Sequence, residues 1–369
     1  GTKKMELAIN LTRITFPFLF FICLSSFFSA VLNSHNKFAA ASAVPIILNI
    51  LLIGVLFFGK ILNDRLVFYL AYAVTLAGIL QFIFLYFFLR KYYLPKIKFK
   101  INIDSKVKKF FKKLLPSIFS SGVAQINILV GTIIATFQAN AVSYLYYADR
   151  IYQINLAIAG VAIGTVILPQ LSKHIQNKKK SSINLIQNKA LELSLFLSIP
   201  ATVALLIASE EIVSALFGYG SFDKIGVQNT ALAVFYFALG LPSFSLNKLF
   251  STFFFARHDT KTPFYIGVIT VALNIIISLS FFDSIGFIII PIASTISAWT
   301  NAILLFVILK KKNLFNFTST FINRFLRIVF SVISMGIFFN YLINFFRDFL
   351  NYEQSTKFFY LIMIVLLGF

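Results

Sequence analysis

Long apolar runs restrict the fold of this chain more than any other feature of its sequence. Eleven runs of predominantly apolar residues, most of them about 17–25 residues long, follow one another along the 369 residues. Within a bilayer only helices and closed barrels satisfy every backbone hydrogen bond, and runs of this length fit helices. The sequence predicts an all-α polytopic membrane protein with about 11 transmembrane helices. The runs cover residues 7–33, 43–58, 66–89, 114–137, 143–171, 191–216, 230–256, 263–282, 286–309, 325–345 and 357–369.

Composition supports a membrane protein and argues against several other classes. Hydrophobic residues make up 59% of the chain and charged residues 12%, against about 45–50% and about 25% in soluble domains. The net charge of +21 would suggest nucleic acid in a soluble protein. Here the basic residues gather in loops between apolar runs, so we predict no nucleic-acid partner. With one cysteine, Cys23, and three histidines, we also predict no disulfide framework and no metal site.

The basic residues predict the orientation of the chain. If the loops alternate between the two sides of the membrane, one side collects 23 Lys and Arg residues and the other seven, while three lie inside spans. The richer side holds the loop 90–113, with ten basic residues, and the loop 173–189. Because cytoplasmic loops carry the excess of Lys and Arg, both loops are predicted in the cytoplasm and the turn at 218–224 outside.

A faint internal repeat predicts the domain organisation. Residues 73–81 resemble residues 293–301, and equal span counts pair spans one to three with spans seven to nine. Spans four to six then lack partners, so we expect three helices ahead of Gly1 and a parent with two six-helix repeats plus two further helices. Paired repeats are typical of secondary transporters, which bind substrate between the halves. The predicted domains are 1–100, the last three helices of an N-terminal lobe; 101–312, a six-helix C-terminal lobe; and 313–369, two additional helices.

Two adjacent charges interrupt the fifth apolar run. Asp149 and Arg150 lie near the start of residues 143–171. An ionised side chain in the bilayer interior costs at least about 2.5–3.5 kcal/mol, so such a residue is expected to face a polar cavity. The alternative is that both charges sit at the membrane edge, or that Asp149 only neutralises its neighbour. Neighbours on a helix point about 100° apart, so at least one of the two has another partner.

Four stretches resemble one known family, the MurJ (MviN) lipid II flippases of bacterial peptidoglycan synthesis. The most specific stretch combines YYADRIYQ at 146–153 with GVAIGTVILPQLSK at 160–173. Supporting stretches lie at 14–50, at 217–223 (FGYGSFD) and at 256–263 (ARHDTKTP). The resemblance covers essentially the whole chain. It implies a fourteen-helix, two-lobed exporter fold with six-helix repeats in the bacterial cytoplasmic membrane, in which this chain begins at the fourth helix.

The same resemblance implies a function. It indicates a transporter, not an enzyme, that flips lipid II from the cytoplasmic to the outer face of the inner membrane by alternating access. The implied partners are lipid II and membrane lipids, and the last two spans correspond to a lipid groove. Arg150 corresponds to a cavity arginine implicated in substrate binding. Other cavity arginines and an acidic residue of the family lie in its first helices, ahead of the part that this chain matches.

The chemistry of lipid II suits the residue types around Arg150. A guanidinium stays charged and binds phosphate oxygens through two parallel hydrogen bonds, so Arg150 is the candidate contact of the diphosphate. Asp149, Tyr147 and Gln153 on the same helix are the further substrate-binding candidates. Tyrosine hydroxyls of this helix suit sugar contacts, with packing of the rings as the alternative; these are Tyr144, Tyr147 and Tyr152.

Polar side chains in other spans are candidates for binding a coupling monovalent cation, which needs several oxygen ligands. The chosen residues are Gln125 in the fourth span, Asn274 in the eighth and Asn301 in the ninth. Interhelical hydrogen bonds explain the same residues without an ion. The membrane potential is the alternative driving force, and we predict no other cofactor.

Three other functions compete with lipid II transport. An exporter of another lipid-linked oligosaccharide shares the need for a phosphate contact. A multidrug exporter with the same fold would have an acidic proton or sodium site in place of an arginine. A membrane-bound transferase would need converging carboxylates, and the adjacent Glu210 and Glu211, expected at the outer end of the sixth span, diverge on a helix. The chain has no GxxxxGK[ST] motif for ATP binding.

Overall fold

The computed structural model describes residues 2–35, 37–59, 65–92, 107, 125–177 and 180–368. All regular structure in this part of the chain is helical. The first half of the fourth predicted span and most of the basic loop 90–113 lie outside the described residues.

The described helices follow the predicted runs closely. The fifth helix, α5, is continuous but contains a π-helical turn at Ala157–Ala162, and a 3-10 turn at Gly286–Ile288 leads into α10. The helices are α1 (Thr2–Ser34), α2 (Phe38–Phe57), α3 (Leu66–Leu89), α4 (Gln125–Ala135), α5 (Ala141–Gln176), α6 (Lys180–Ile207), α7 (Ser209–Phe217), α8 (Lys224–Phe255), α9 (Lys261–Ile285), α10 (Ile289–Lys311), α11 (Ser319–Phe345), α12 (Arg347–Leu350) and α13 (Lys357–Gly368).

Eight helical segments of the described residues are long and apolar enough to cross a membrane. One of them, Lys261–Lys311, contains both α9 and α10, and the shorter apolar helices α4 and α13 coincide with two further predicted spans. The described helices therefore account for all eleven predicted spans, the fourth only in its second half. The predicted class, an all-α polytopic membrane protein, is confirmed.

The sixth predicted span is wrong at its end. The apolar run predicts one helix over residues 191–216, but α6 ends at Ile207 and α7 begins at Ser209. The chain breaks at Ala208, whose φ of −125° and ψ of 34° are not helical. Glu210 and Glu211 therefore lie in the first turn of a separate short helix. Negative side chains are favourable there, because the N-terminus of a helix carries a partial positive charge.

The chain divides into two compact units, Gly1–Asp104 (unit 1) and Ser105–Phe369 (unit 2). In unit 1, α1 and α2 both pack against α3. The approach of α1 and α3 is close at Gly78, where a Cβ atom would lie 2.8 Å from the Phe18 side chain. Small residues allow such close helix packing within a membrane. The core of this unit consists of Phe28, Leu32, Val44, Leu85 and Leu89.

Helix α8 is the centre of unit 2. It packs against α5, α6, α7 and α10. Its contact with α10 is close at Gly240, where a Cβ atom would lie 2.7 Å from the Thr295 hydroxyl. That hydroxyl donates a hydrogen bond to the Tyr236 carbonyl oxygen at 2.7 Å. Two apolar cores lie along α8, one around Phe237 and one around Phe253.

A buried lysine fixes the last helix. Lys357, the first residue of α13, is only 1% exposed. Its ammonium donates hydrogen bonds to the carbonyl oxygens of Gly218 at 2.8 Å and Tyr352 at 2.7 Å, and it lies over the rings of Tyr219 and Tyr352. The Tyr352 hydroxyl donates to the Phe222 carbonyl oxygen at 2.7 Å. These contacts join α13 to the turn between α7 and α8.

Charged residues also fix the turns at the opposite end of unit 2. Asp259 caps α9, because its carboxylate accepts hydrogen bonds from the Thr262 backbone N–H at 3.0 Å and the Thr262 hydroxyl at 2.7 Å. The Lys312 ammonium, after α10, lies 3.0 Å from the same carboxylate. Burial acts to raise the pKa of Asp259, but the hydrogen bonds from Thr262 and Lys312 outweigh it and hold the pKa below its usual value. The charges of this turn therefore have structural partners.

Candidate functional site

The adjacent charges of the fifth span lie on α5, about 13 Å along the helix from its first residue. Asp149 is half-buried and Arg150 is exposed. Their backbone belongs to a regular α-helix, so the two side chains diverge as helical geometry requires.

Arg150 carries an uncompensated charge. Its guanidinium lies over the Tyr146 ring, 4.7 Å from the ring centre, and Nη2 donates a hydrogen bond to the Tyr146 hydroxyl at 3.1 Å. It forms no ion pair with a carboxylate in the described part of the chain. Because a guanidinium has five N–H donors, most of its hydrogen-bonding capacity is free for a ligand.

Asp149 has partners of its own. The Gln153 side-chain amide, one turn further along α5, donates a hydrogen bond to Oδ2 of Asp149. Asp149 is therefore held by Gln153, and it forms no ion pair with Arg150 among the described residues. The idea that Asp149 only neutralises its neighbour does not describe this arrangement.

The tyrosine rings of α5 pack against phenylalanines. Tyr147 lies 4.8 Å from Phe217 and 5.1 Å from Phe222, measured between ring centres. Tyr152 lies 4.8 Å from Phe237, and Tyr144 is likewise packed against a phenylalanine ring. Ring packing, the alternative that the sequence left open, therefore describes all three tyrosines, while contacts of their hydroxyls with a sugar stay a prediction.

The packing of Tyr147 also shows where the charges lie along unit 2. Phe217 and Phe222 flank the turn between α7 and α8, which the count of basic residues predicts to lie outside the cytoplasm. Arg150 is three residues beyond Tyr147, roughly 4.5 Å further along the helix axis. The candidate site therefore lies near the end of α5 that packs against this turn.

A polar cleft of about 440 Å³ opens among α4, α5, α8, α9 and α10. Two of its hydrogen bonds join neighbouring helices: the Asn274 amide donates to the Ser294 hydroxyl at 3.1 Å, and the Asn301 amide donates to the Thr270 hydroxyl at 3.0 Å. The residues that line it include Asn127, Tyr152, Asn247, Lys248, Ser251, Thr270, Asn274, Ser294, Ser297 and Asn301.

The cleft unites part of the predicted coupling-ion set. Asn274 and Asn301 both line it, whereas Gln125 is exposed at the start of α4 and does not. The cleft also contains Lys248, one of the three basic residues that lie inside predicted spans. A charge inside an apolar run is the signal that also marks Arg150. In the described part of the chain, no group of three or more His, Cys, Asp or Glu residues is arranged to hold a metal ion.

The described helices define the class of this protein as a multi-pass, all-α membrane protein. A solved multidrug transporter of the MATE family in an inward-facing conformation aligns with 83% of this chain and 71% of its own, with a TM-score of 0.70 and 17% identity. At that identity the likeness concerns the fold alone.

The chain belongs to the MurJ family, because the family model described as lipid II flippase MurJ matches residues 1–361. A probable lipid II flippase MurJ from Rickettsia prowazekii is 38% identical over 82% of this chain and 60% of its own length. A counterpart from Rhizobium tropici is 35% identical over 84% and 59%. A solved lipid II flippase MurJ in an inward closed conformation covers 100% of this chain and 73% of its own, with a TM-score of 0.82 and 27% identity.

The chain spans about 60% of the length of the curated relatives it matches. Its family is one of transporters rather than enzymes. Together with the apolar helices, membership of this family places the chain in the bacterial inner membrane as a multi-pass protein.

Proposed function

We propose that the protein moves lipid II from the cytoplasmic to the outer face of the inner membrane, with Arg150 as a contact of the diphosphate. The observation that carries this proposal is the exposed Arg150 on a helix of membrane-spanning length, without an ion pair among the described residues. Against hydrocarbon such a charge would cost at least about 2.5–3.5 kcal/mol. A water-filled cavity that receives an anionic head group removes this cost.

The surroundings of Arg150 suit a diphosphate. Tyr146 stacks on the guanidinium and takes one N–H donor, which restricts its motion and leaves the rest of the fork for phosphate oxygens. Asp149 is held by Gln153, so it does not compete for the fork. In alternating access the head group crosses through the polar cavity while the polyprenyl tail stays in apolar surroundings, for which α11 and α13 supply a surface.

The alternatives differ in the charge they require. A multidrug exporter with an acidic coupling site needs a carboxylate in its cavity, and the described residues that line the polar cleft of unit 2 include a lysine and no carboxylate. Another lipid-linked oligosaccharide would use Arg150 in the same way. The names of the relatives favour lipid II.

The proposed function also needs a source of energy for transport, either a coupling cation or the membrane potential. Amide and hydroxyl oxygens of Asn274, Asn301 and their neighbours support a coupling cation in the cleft. The positive charge of Lys248 in that cleft opposes it, because like charges repel in a site of low dielectric constant. We therefore favour the membrane potential over a cation bound in this cleft as the source of energy.

The test of this function uses cells depleted of their own lipid II flippase. The full-length gene that encodes this chain is expressed in them, and we expect growth together with lipid II reaching the outer face, measured by its accessibility to an impermeant probe. Lipid II that accumulates inside, with the protein present at normal level and another lipid-linked oligosaccharide exported instead, would refute the proposal.

A further inference from the structure

Lys248, like Arg150, is a cation that lies on a membrane-spanning helix of unit 2 and has no ion pair among the described residues. It lies on α8, roughly 10 Å from the C-terminal end of that helix, and its exposed side chain lines the polar cleft. Its ammonium makes no hydrogen bond or ion pair in the described part of the chain. A lysine that only extended to the membrane surface would lie against lipid, whereas Lys248 lies among asparagine, serine and threonine side chains.

Three oxygen atoms of the same cleft are buried and without partners among the described residues. They are Oδ1 of Asn127, Oδ1 of Asn247 and the Ser297 hydroxyl oxygen. The Asn247 amide nitrogen is already used, since it donates to the Ala298 carbonyl oxygen at 3.0 Å. The two amide oxygens can only accept hydrogen bonds, so they need N–H or O–H donors from water or from a ligand.

The Lys248 ammonium and the three oxygen atoms without partners determine which kind of ligand the cleft can bind. A bare anion would satisfy Lys248 but would offer nothing to the two amide oxygens. A small cation would satisfy the oxygens and be repelled by the lysine. A group that carries a carboxylate beside amide N–H and sugar O–H donors satisfies all of them, and a cleft of about 440 Å³ lies in the range of small-ligand sites.

We infer that the cleft is a subsite for the acidic sugar–peptide part of the lipid II head group, with Lys248 as the contact of a carboxylate. This inference rests on the proposed function and deepens it. Arg150 then binds the diphosphate, and Lys248 binds a different part of the same head group.

The spacing of the two cations agrees with this division. Gly160 of α5 faces the Cβ atom of Lys248, and Gly160 is ten residues beyond Arg150, on the order of 15 Å along the helix axis. Tyr152, two residues beyond Arg150 on α5, also lines the cleft. A disaccharide that carries a peptide spans a comparable distance, since each extended residue adds roughly 3.3 Å.

Two lipids separate the roles of the two residues. Lipid II carries both the diphosphate and the sugar–peptide, whereas undecaprenyl diphosphate carries only the diphosphate and the tail. We expect Lys248→Met to weaken the binding of lipid II to the purified full-length protein by about tenfold or more, as for a lost charge-assisted hydrogen bond, and to leave undecaprenyl diphosphate binding within about twofold of the parent. Arg150→Ala is expected to weaken both.

Two control variants accompany the measurement. Lys248→Arg keeps the charge and should retain most lipid II binding, while Lys261→Met removes an exposed lysine outside the cleft and should change neither affinity. Lys248→Met that binds both lipids like the parent overturns the subsite and leaves the proposed function standing. If Lys248→Met weakens the binding of both lipids equally, Lys248 contacts the diphosphate, and the subsite is again overturned. A parent protein that does not bind lipid II overturns the proposed function together with the subsite.

Discussion

The charged side chains of unit 2 differ between the helix ends and the surface formed by α5 and α8. At the helix ends several charges have protein partners: Lys357 and Arg257 donate to backbone carbonyl oxygens, and Asp259 pairs with Lys312. On the α5–α8 surface, Arg150 contacts only Tyr146 among the described residues. Paired charges fix turns and helices, so the unpaired charges are the ones available to a ligand.

This difference predicts opposite responses to mutation. Removing a paired charge leaves its buried partners without hydrogen bonds, which costs free energy of unfolding. Removing an unpaired and exposed charge leaves no partner behind, so it should change ligand binding and leave stability almost unaltered. The expected effects on stability fall in the order Lys357, Asp259, Arg150.

Lys357→Met should have the largest effect on stability. The variant fills the same space but leaves the Gly218 and Tyr352 carbonyl oxygens without their charged donor. We expect a loss of about 3 kcal/mol, measured as a lower melting temperature of the purified protein in detergent. The matched control is Lys311→Met at an exposed position. Equal melting temperatures for Lys357→Met and this control would contradict the role of the buried lysine.

Asp259→Asn should have a smaller effect that depends on pH. Asparagine also caps helices, so this variant removes the charge facing Lys312 and keeps the cap; we expect a cost of about 0.5–1 kcal/mol at pH 7. Because the folded-state pKa of Asp259 is lowered, its contribution is present above the unfolded-state pKa of about 3.9 and is lost as the pH falls through the folded-state pKa. Melting curves of parent and variant should converge on acidification, and a constant difference would exclude the ion pair.

The apolar pattern of the sequence is sufficient to predict the helices and the class of protein. A run of about twenty apolar residues is by itself long enough to cross a bilayer as a helix. Its prediction therefore requires no information about the helices that pack against it. The prediction joins two helices at Ala208 because apolar residues continue on both sides, although the acids Glu210 and Glu211 directly after it are typical of the first turn of a new helix. The predicted lobes 1–100, 101–312 and 313–369, with the repeat that relates them, stay predictions.

The candidate site was predictable only in part. Asp149 and Arg150 stand out because charges are rare in apolar runs, and the same signal marks Lys248. The partners of Asp149 and Arg150 lie one helical turn away, but those of other charges were not predictable. Lys357 is bonded to Gly218, 139 residues away in sequence, and a charge on an apolar helix gives the same pattern whether it faces a carbonyl oxygen or a ligand. The packing of Tyr147 on Phe217 and Phe222 depends on the same kind of distant contact.

The central claim is that the uncompensated charge of Arg150 serves the substrate and not the fold. Its most direct test measures lipid II translocation and melting temperature for the full-length protein with Arg150→Ala and Arg150→Lys, at matched membrane abundance. We predict translocation reduced about tenfold or more by alanine and to an intermediate level by lysine, which keeps the charge but loses the fork, with melting temperatures close to the parent's. An alanine variant that is present at normal level and translocates lipid II like the parent would contradict the claim.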